Sequence, residues 1–376
     1  MRLLPDDDTW IRSASGESRL PSRRSVVGWS LLLAAVAGTV VIGMLPAPYV
    51  VERPGPVYDT LGDVTVAEND VPLIDIPDEK TYQTSGQLDM LTVYLDGSRQ
   101  SPLNWIDIAT AWFDPSRAVV PIDAVFPQGQ TQDEADQEST IDMQNSQKEA
   151  VAAALGELDI DYTSVVTVGG VVDGQPADGL LETGDQILTI GDTAVTTPDE
   201  LRDAIVSGGV GAPLAFGISR DGTDSTVDIT PVASSDDPDT AVIGIYPAGD
   251  YDFPFEVKIQ LENVGGPSAG MMFALGIFDK LTPGELTGGE HIAGTGTIAA
   301  DGTVGPIGGI RQKMYGAVDD GATWFLAPAS NCNEVVGHIP AGLTVFSVAT
   351  LDDSIAAVTA IATDADTSKL VTCTAD

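Results

Sequence analysis

Two glycine-rich turns hold the residue types with the clearest chemical potential. The first is Asn263-Val264-Gly265-Gly266-Pro267-Ser268-Ala269-Gly270, running into Met271-Met272-Phe273-Ala274-Leu275. It predicts a helix start with Pro267 in the first turn and Ser268 at the N-terminus. Free N–H groups and the helix dipole favour negative charge there, so the amides of Ser268 and Ala269 could hold a tetrahedral oxyanion. A plain helix start with Ser268 as its cap fits the same residues. The second turn is Gly305-Pro306-Ile307-Gly308-Gly309-Ile310-Arg311-Gln312-Lys313, with Lys313 45 residues after Ser268. Met314, Tyr315 and Ala317 could bury this lysine, and burial lowers a lysine pKa by penalising the ammonium. A neutral amine could then take the proton of a serine hydroxyl. The alternative is a surface lysine on an amphipathic helix. The chain has only six lysines, so one beside glycine-rich turns is informative.

Other chemistries have fewer candidates. The histidines are His291 and His338 alone, which excludes a histidine-rich metal centre and leaves a Ser-His-Asp triad little choice of base. His291 reads as structural, Asp301 as a turn residue, and Glu262 and Asn263 as residues that could line a cleft. Two cysteines, Cys332 and Cys373, are too few for a four-cysteine zinc site. No metal or cofactor site is expected. In an oxidising compartment the two cysteines could pair and tie the last segment to its domain; two buried thiols are the alternative.

The elements that must position these groups belong to a chain of 376 residues, enough for two or three domains. With 43% hydrophobic and 19% charged residues, sizeable cores are possible and global disorder is excluded. Acidic residues number 56 against 17 basic, a net charge of −39 that opposes binding to nucleic acid. Val26 to Leu45 is a 20-residue run without a charge, long enough for ~30 Å of hydrocarbon. Arg19, Arg23 and Arg24 precede it, placing residues 1–25 in the cytoplasm and the rest outside. A cleaved signal peptide is the alternative, but the run is long and Pro46-Ala47-Pro48 is a poor cleavage site.

Between anchor and turns, the sequence predicts a strand at Leu91–Leu95. It predicts a short helix over Pro102–Phe113 with Trp105, Ile108 and Trp112 on one face. Gln128–Asp142 reads as loop or frayed helix, and Ser146–Leu158 as helix. Residues 161–235 form a separate module. Thr197 caps a helix there, with Pro198 at N1 and Glu200 at the capping-box position. Its stretch Ala177-Asp178-Gly179-Leu180-Leu181-Glu182-Thr183-Gly184-Asp185-Gln186-Ile187-Leu188 is similar to the most recognisable part of PDZ domains. That resemblance implies binding of extended peptides, with the carboxylate loop expected before or within Ser164–Val168, where no loop signature stands out.

Gly266-Pro267-Ser268-Ala269-Gly270 resembles the nucleophile motif of Lon-type proteases. Thr295-Gly296-Thr297-Ile298, Gly302-Thr303-Val304 and Pro306–Lys313 resemble the second motif of that family. The resemblance implies Ser268 as nucleophile, Lys313 as general base and Thr295 as a hydrogen-bonding support near the lysine. It also implies polypeptide substrates and a homo-oligomeric ring, in the family a hexamer. No G-x-x-x-x-G-K-[ST] phosphate loop occurs, so ATP-driven unfolding is not expected. The arrangement looks like membrane-anchored, ATP-independent Lon-like proteins of Gram-positive bacteria. The expected fold is α+β. A cytoplasmic tail (1–25) and a transmembrane helix (26–45) precede a first part of the Lon-like domain (46–160). A PDZ domain (161–235), inserted or preceding, leads to the Lon-like proteolytic domain (241–376). A PDZ-bearing membrane adaptor and a self-processing protein remain the alternatives to a general endopeptidase.

Overall fold

A computed structural model describes residues 23–126, 132–234, 237–238, 240–261, 264–363 and 365–374. The predicted tail residues Arg2, Arg12 and Arg19, and the cleft candidates Glu262 and Asn263, lie outside the described residues.

The principal elements run in chain order as α1 (Arg23–Gly43), β1 (Tyr49–Asp59), β2 (Gln87–Asp96), α2 (Trp105–Ala111), β3 (Ala118–Pro121) and α3 (Gln132–Glu157). They continue with β4 (Thr163–Val171), β5 (Gln186–Ile190), α4 (Pro198–Gly208), β6 (Leu214–Arg220), β7 (Thr223–Ile229) and β8 (Ile245–Asp252). The last are α5 (Gly270–Leu281), β9 (His291–Gly294), α6 (Ile310–Asp320), β10 (Trp324–Pro328), β11 (Thr344–Val348) and α7 (Leu351–Ala362).

Two sheets organise them. The first has strand order β11-β10-β9-β2-β1-β3, and the second β7-β6-β5-β4-β8. In the first, β2, β9, β10 and β11 are parallel neighbours, while β1 runs antiparallel to β2 and β3. Strands from before and after the second sheet are thus hydrogen-bonded in one ladder. Its apolar core joins Leu88 and Met90 of β2 to Met271–Leu275 of α5 and to Ala150–Leu155 of α3. The second sheet has its own core, built on Val166, Ile187, Leu201, Ile205, Phe216 and Ile218.

Local chemistry explains several boundaries. Thr197 Oγ1 accepts from the Glu200 amide and Pro198 occupies the first turn of α4, so both orphan-donor solutions are used at one end. The Glu200 carboxylate reaches back to Thr196, one residue before the cap.

The structure refines or corrects three sequence expectations. Gln132–Glu157 is one continuous helix, so of the two readings of Gln128–Asp142 the helix start holds from Gln132 on and the loop does not; contacts at Ser139 and Asn145 hold it against the rest of the fold. The helix around Ile108 is only Trp105–Ala111; Ile108 is buried, whereas Trp105 and Trp112 are exposed, so the three do not form one buried stripe. Ser164–Val168, within or before which the carboxylate loop is expected, lie inside β4, an interior strand between β5 and β8, and β8 is an edge of that sheet.

The apolar run predicted over 26–45 forms most of α1, which stops at Gly43. Among the described residues, no helix is long and apolar enough to cross a membrane. Trp29, Leu31, Leu33, Val41 and Met44 are nonetheless all exposed.

Candidate active site

The first sheet brings the two glycine-rich turns together. β9 ends at Gly294 beside β10, and Thr295 follows directly, its amide bonded to the Leu326 carbonyl. α6 begins after Gly309, which has the left-handed conformation open to glycine (φ 68°). That turn points the start of α6, and with it Lys313, at the end of β9.

Lys313 Nζ lies 2.7 Å from Ser268 Oγ and 2.9 Å from Thr295 Oγ1. Thr295 Oγ1 donates in turn to the Ser268 carbonyl at 2.9 Å, and the Gly296 amide donates to the same carbonyl at 3.0 Å. Thr295 therefore touches both partners, fixing the backbone of one and the amine of the other. Lys313 and Thr295 are almost completely buried. Burial pushes the Lys313 amine down to about 7, against a smaller upward pull from Glu52. Glu52, on β1, is itself pushed up, by burial first and by Glu334 second. Near pH 7 much of Lys313 is then neutral and able to accept a proton.

Ser268 precedes the helix instead of opening it. α5 starts at Gly270, and residues 267–270 form a turn closed by the Gly270 amide on the Pro267 carbonyl at 3.3 Å. Proline restricts the backbone ahead of Ser268, and Ala269 is buried beneath it. The serine is therefore presented from a tight turn at the mouth of a helix.

The cleft above it has a volume of 490 Å³ and is lined by Tyr58, Thr92, Val93, Met143, Val264 and Gly308 among others. Sequence reasoning found Ser268, Lys313 and Thr295, and the turns it singled out supply Val264 and Gly308, but it missed Tyr58, Thr92, Val93 and Met143. These come from β1, β2 and α3, more than 100 residues upstream of Ser268, and only the fold brings them near.

The remaining candidates stand apart. His291, at the start of β9, pairs through Nε2 with Asp89 on β2, and Asp320 of α6 lies 3.7 Å away. Burial pushes the Asp89 carboxyl up to about 6, against the lowering effect of His291. Among the described residues, Asp89, His291 and Asp320 are the group of side chains that could hold a metal ion, with donor atoms within 4.8 Å of one another. None of the three lines the Ser268 cleft. His338 is exposed and faces the Val336 carbonyl at 3.1 Å. Asp301 Oδ1 accepts from the Thr303 amide in its turn. Cys332 and Cys373 are joined by a disulfide with Cα atoms 4.9 Å apart.

A hydroxyl against a buried, neutralisable amine, at the carboxyl end of parallel strands, is an arrangement suited to acyl transfer. The comparisons with known proteins agree with that class. Residues 263–360 match the family model of the Lon protease (S16) C-terminal proteolytic domain. Residues 140–230 match a PDZ domain. Residues 263–360 are thus similar to a Lon-type proteolytic domain and residues 140–230 to a PDZ domain. It is 33% identical over 109 residues to a Lon protease of Geobacter metallireducens, covering 28% of this chain and 13% of that one. It is 32% identical over 115 residues to Lon protease 2 of Bacillus subtilis, covering 30% and 19%. The chain thus spans less than a fifth of the length of these relatives. Among solved structures, the PDZ domain of the SdrC-like protein of Listeria monocytogenes is 30% identical, covering 22% of this chain and 85% of that one, with a TM-score of 0.21.

Proposed function

We propose that the chain is an ATP-independent serine endopeptidase, anchored in a membrane by the uncharged run 26–45 with its catalytic part outside the cytoplasm. It acts on unfolded or flexible polypeptides. The observation that carries the reading is Ser268 Oγ at 2.7 Å from the buried amine of Lys313. In the first step Ser268 Oγ attacks a peptide carbonyl while neutral Lys313 takes its proton. The amides of Ser268 and Ala269 hold the oxyanion. Lys313 then protonates the leaving amine as the C–N bond breaks, leaving an acyl-serine. Water attacks the ester, giving its proton to Lys313, and the acid leaves as Ser268 regains its hydrogen. Thr295 positions the lysine throughout.

The chain contains no phosphate loop, and none of these steps needs a nucleotide. The anchor reading rests on the uncharged run 26–45, the arginines before it and the exposed side chains of α1. Trp112 and Phe113, 74% and 91% exposed, lie just beyond α2, against which α1 packs. Aromatic residues of this kind suit a bilayer interface. For the PDZ domain, the reading is recruitment or regulation by an extended peptide. It would lie in a 300 Å³ apolar groove between α4 and the edge approaching β8, lined by Leu201, Ile205, Val206 and Ile243. Assembly into a ring belongs to the same reading.

The test is incubation of the purified chain with casein, without ATP, and mapping of products by mass spectrometry. Cleavage should vanish in both Ser268→Ala and Lys313→Ala. Cleavage surviving Ser268→Ala would place the nucleophile elsewhere. Folded but inactive wild type would favour an adaptor or a protein that processes only itself.

A further inference from the structure

Helix α3 touches both the peptide groove and the nucleophile turn, through adjacent residues. Asn145 Nδ2 donates to the Pro247 carbonyl on β8 at 2.8 Å. Ser146 Oγ donates to the Pro267 carbonyl, one residue before the nucleophile, also at 2.8 Å. Both side chains are buried. Pro247 lines the groove as well. The distance from groove wall to nucleophile turn is thus two side-chain hydrogen bonds and one peptide unit of α3.

Neighbouring contacts make this connection stiff. Lys148, three residues beyond Asn145 and on the same helical face, donates to the Gly249 carbonyl at 2.9 Å. Together Asn145 and Lys148 cover the far half of the β8 edge, so an added strand can pair only with the half nearer Gly244. At the other end, Ser139 of α3 accepts the Gly266 amide at 3.0 Å. A Cβ on Gly265 would collide with the Ser139 side chain, and one on Gly270 would lie 2.7 Å from Ser146 Oγ. The nucleophile turn therefore lies against α3 on both sides of Ser268, with no space to slide. The irregular point is in β8. Its register with β4 shifts between Tyr246 and Pro247, a bulge at the place where the groove ends and the α3-covered edge begins. Bulges change the local path of a strand, so pairing on one side of it moves the Pro247 carbonyl relative to α3.

We infer that Ser146 is a positioning residue for Ser268, and that Asn145 couples it to an extended apolar peptide lying in the α4–β8 groove. The inference rests on the peptidase reading for its activity measurements but not for its structural one. The peptide adds to the free part of the edge before Pro247 and shifts that carbonyl. Asn145 follows, α3 follows Asn145, and Ser146 moves the Pro267 carbonyl and the turn bearing the nucleophile. The coupling works in either direction, so a substrate that orders Ser268 also changes the affinity of the groove.

The experiment uses the full chain with Val206→Cys, a half-exposed groove residue. The native cysteines form a disulfide, so this thiol labels selectively. A maleimide-linked Ala-Leu-Val peptide fills the groove covalently, and N-ethylmaleimide serves as control. Hydrogen exchange at amides 264–270 is followed in a Ser268→Ala background, and kcat and KM on a fluorogenic peptide in the active background. The tether is expected to change exchange at 264–270 and to change kcat at least fivefold, the lower end of ordinary coupling. With Asn145→Ala added, both responses should fall below twofold. Ser146→Ala should lower kcat about tenfold with KM within twofold, a split that general destabilisation does not give. A tether response that survives Asn145→Ala, or no exchange response at all, overturns the inference. So does Ser146→Ala with unchanged kcat. An Asn145-dependent exchange response in a chain that cleaves nothing supports the coupling and removes the peptidase reading instead.

Discussion

Lys313 and Asp89 are both almost fully buried, and one strand–helix pair serves both. β9 supplies His291 at its beginning and leads into Thr295 at its end. α6 supplies Lys313 near its start and Asp320 at its finish. One end of this strand–helix pair therefore gathers an amine and two hydroxyls, and the other an imidazole and two carboxylates. Histidine is the more versatile catalytic residue type, yet its end does not open into the cleft. The lysine end does, and there burial favours the uncharged form that a base needs. What separates a site from a structural pair here is access to the cleft, together with burial that favours the neutral form of the base.

The largest test of that contrast is loss of the nucleophile. Ser268→Ala should lower kcat on the order of 10⁴-fold with folding intact, read by peptide hydrolysis and thermal unfolding. His291→Ala should do the reverse. Activity per folded molecule should stay within about twofold, while stability falls by about 3 kcal/mol in urea titrations near pH 7.5, because Asp89 loses its partner. Asp89 has a folded pKa raised to about 6, so its contribution is fully present below its unfolded value and is lost as pH rises through 6. The destabilisation by His291→Ala should accordingly shrink below pH 6.

The lysine end carries the opposite sign. Its folded pKa is lowered to about 7, so below 7 the base is protonated and kcat/KM should drop about tenfold per pH unit. Between 7 and its unfolded value, folding must shed a proton that the unfolded chain retains, which costs stability. Lys313→Met should therefore abolish activity and raise stability by roughly 2 kcal/mol at pH 8, measured by urea unfolding. A Lys313→Met protein no more stable than wild type would mean that burial does not hold the amine neutral. The smallest expected effect is that of Thr295→Val, about tenfold in kcat, since Thr295 positions the amine without exchanging a proton.

The dyad was legible because each half lies in a local glycine-rich turn whose residue types are unusual together. The helix cap at Thr197 was legible for the same local reason. The cleft walls were not, since Tyr58, Val93 and Met143 are ordinary apolar residues until β1, β2 and α3 meet. The first half of α3 was left open between loop and frayed helix because its polar, acidic sequence has no apolar stripe; tertiary contacts at Ser139 and Asn145 hold it helical. The carboxylate loop was expected before or within Ser164–Val168, and the groove went unread, although Val242-Ile243-Gly244-Ile245, an apolar run broken by a glycine, was the available signal. Seeing it required knowing that β8 ends the sheet.

The ladder between β2 and β9 joins residues some 200 positions apart, as the Asp89–His291 pair marks. During synthesis, β2 has no parallel neighbour until the whole PDZ domain and the first glycine-rich turn have been made. Pairing at such separation is slow, and its loop-closure entropy comes before any reward from packing. The nucleophile and its base therefore cannot meet on a nascent chain that ends short of β9 and α6. Under the proposed peptidase reading, strand order by itself postpones the meeting of nucleophile and base until α6 has been made.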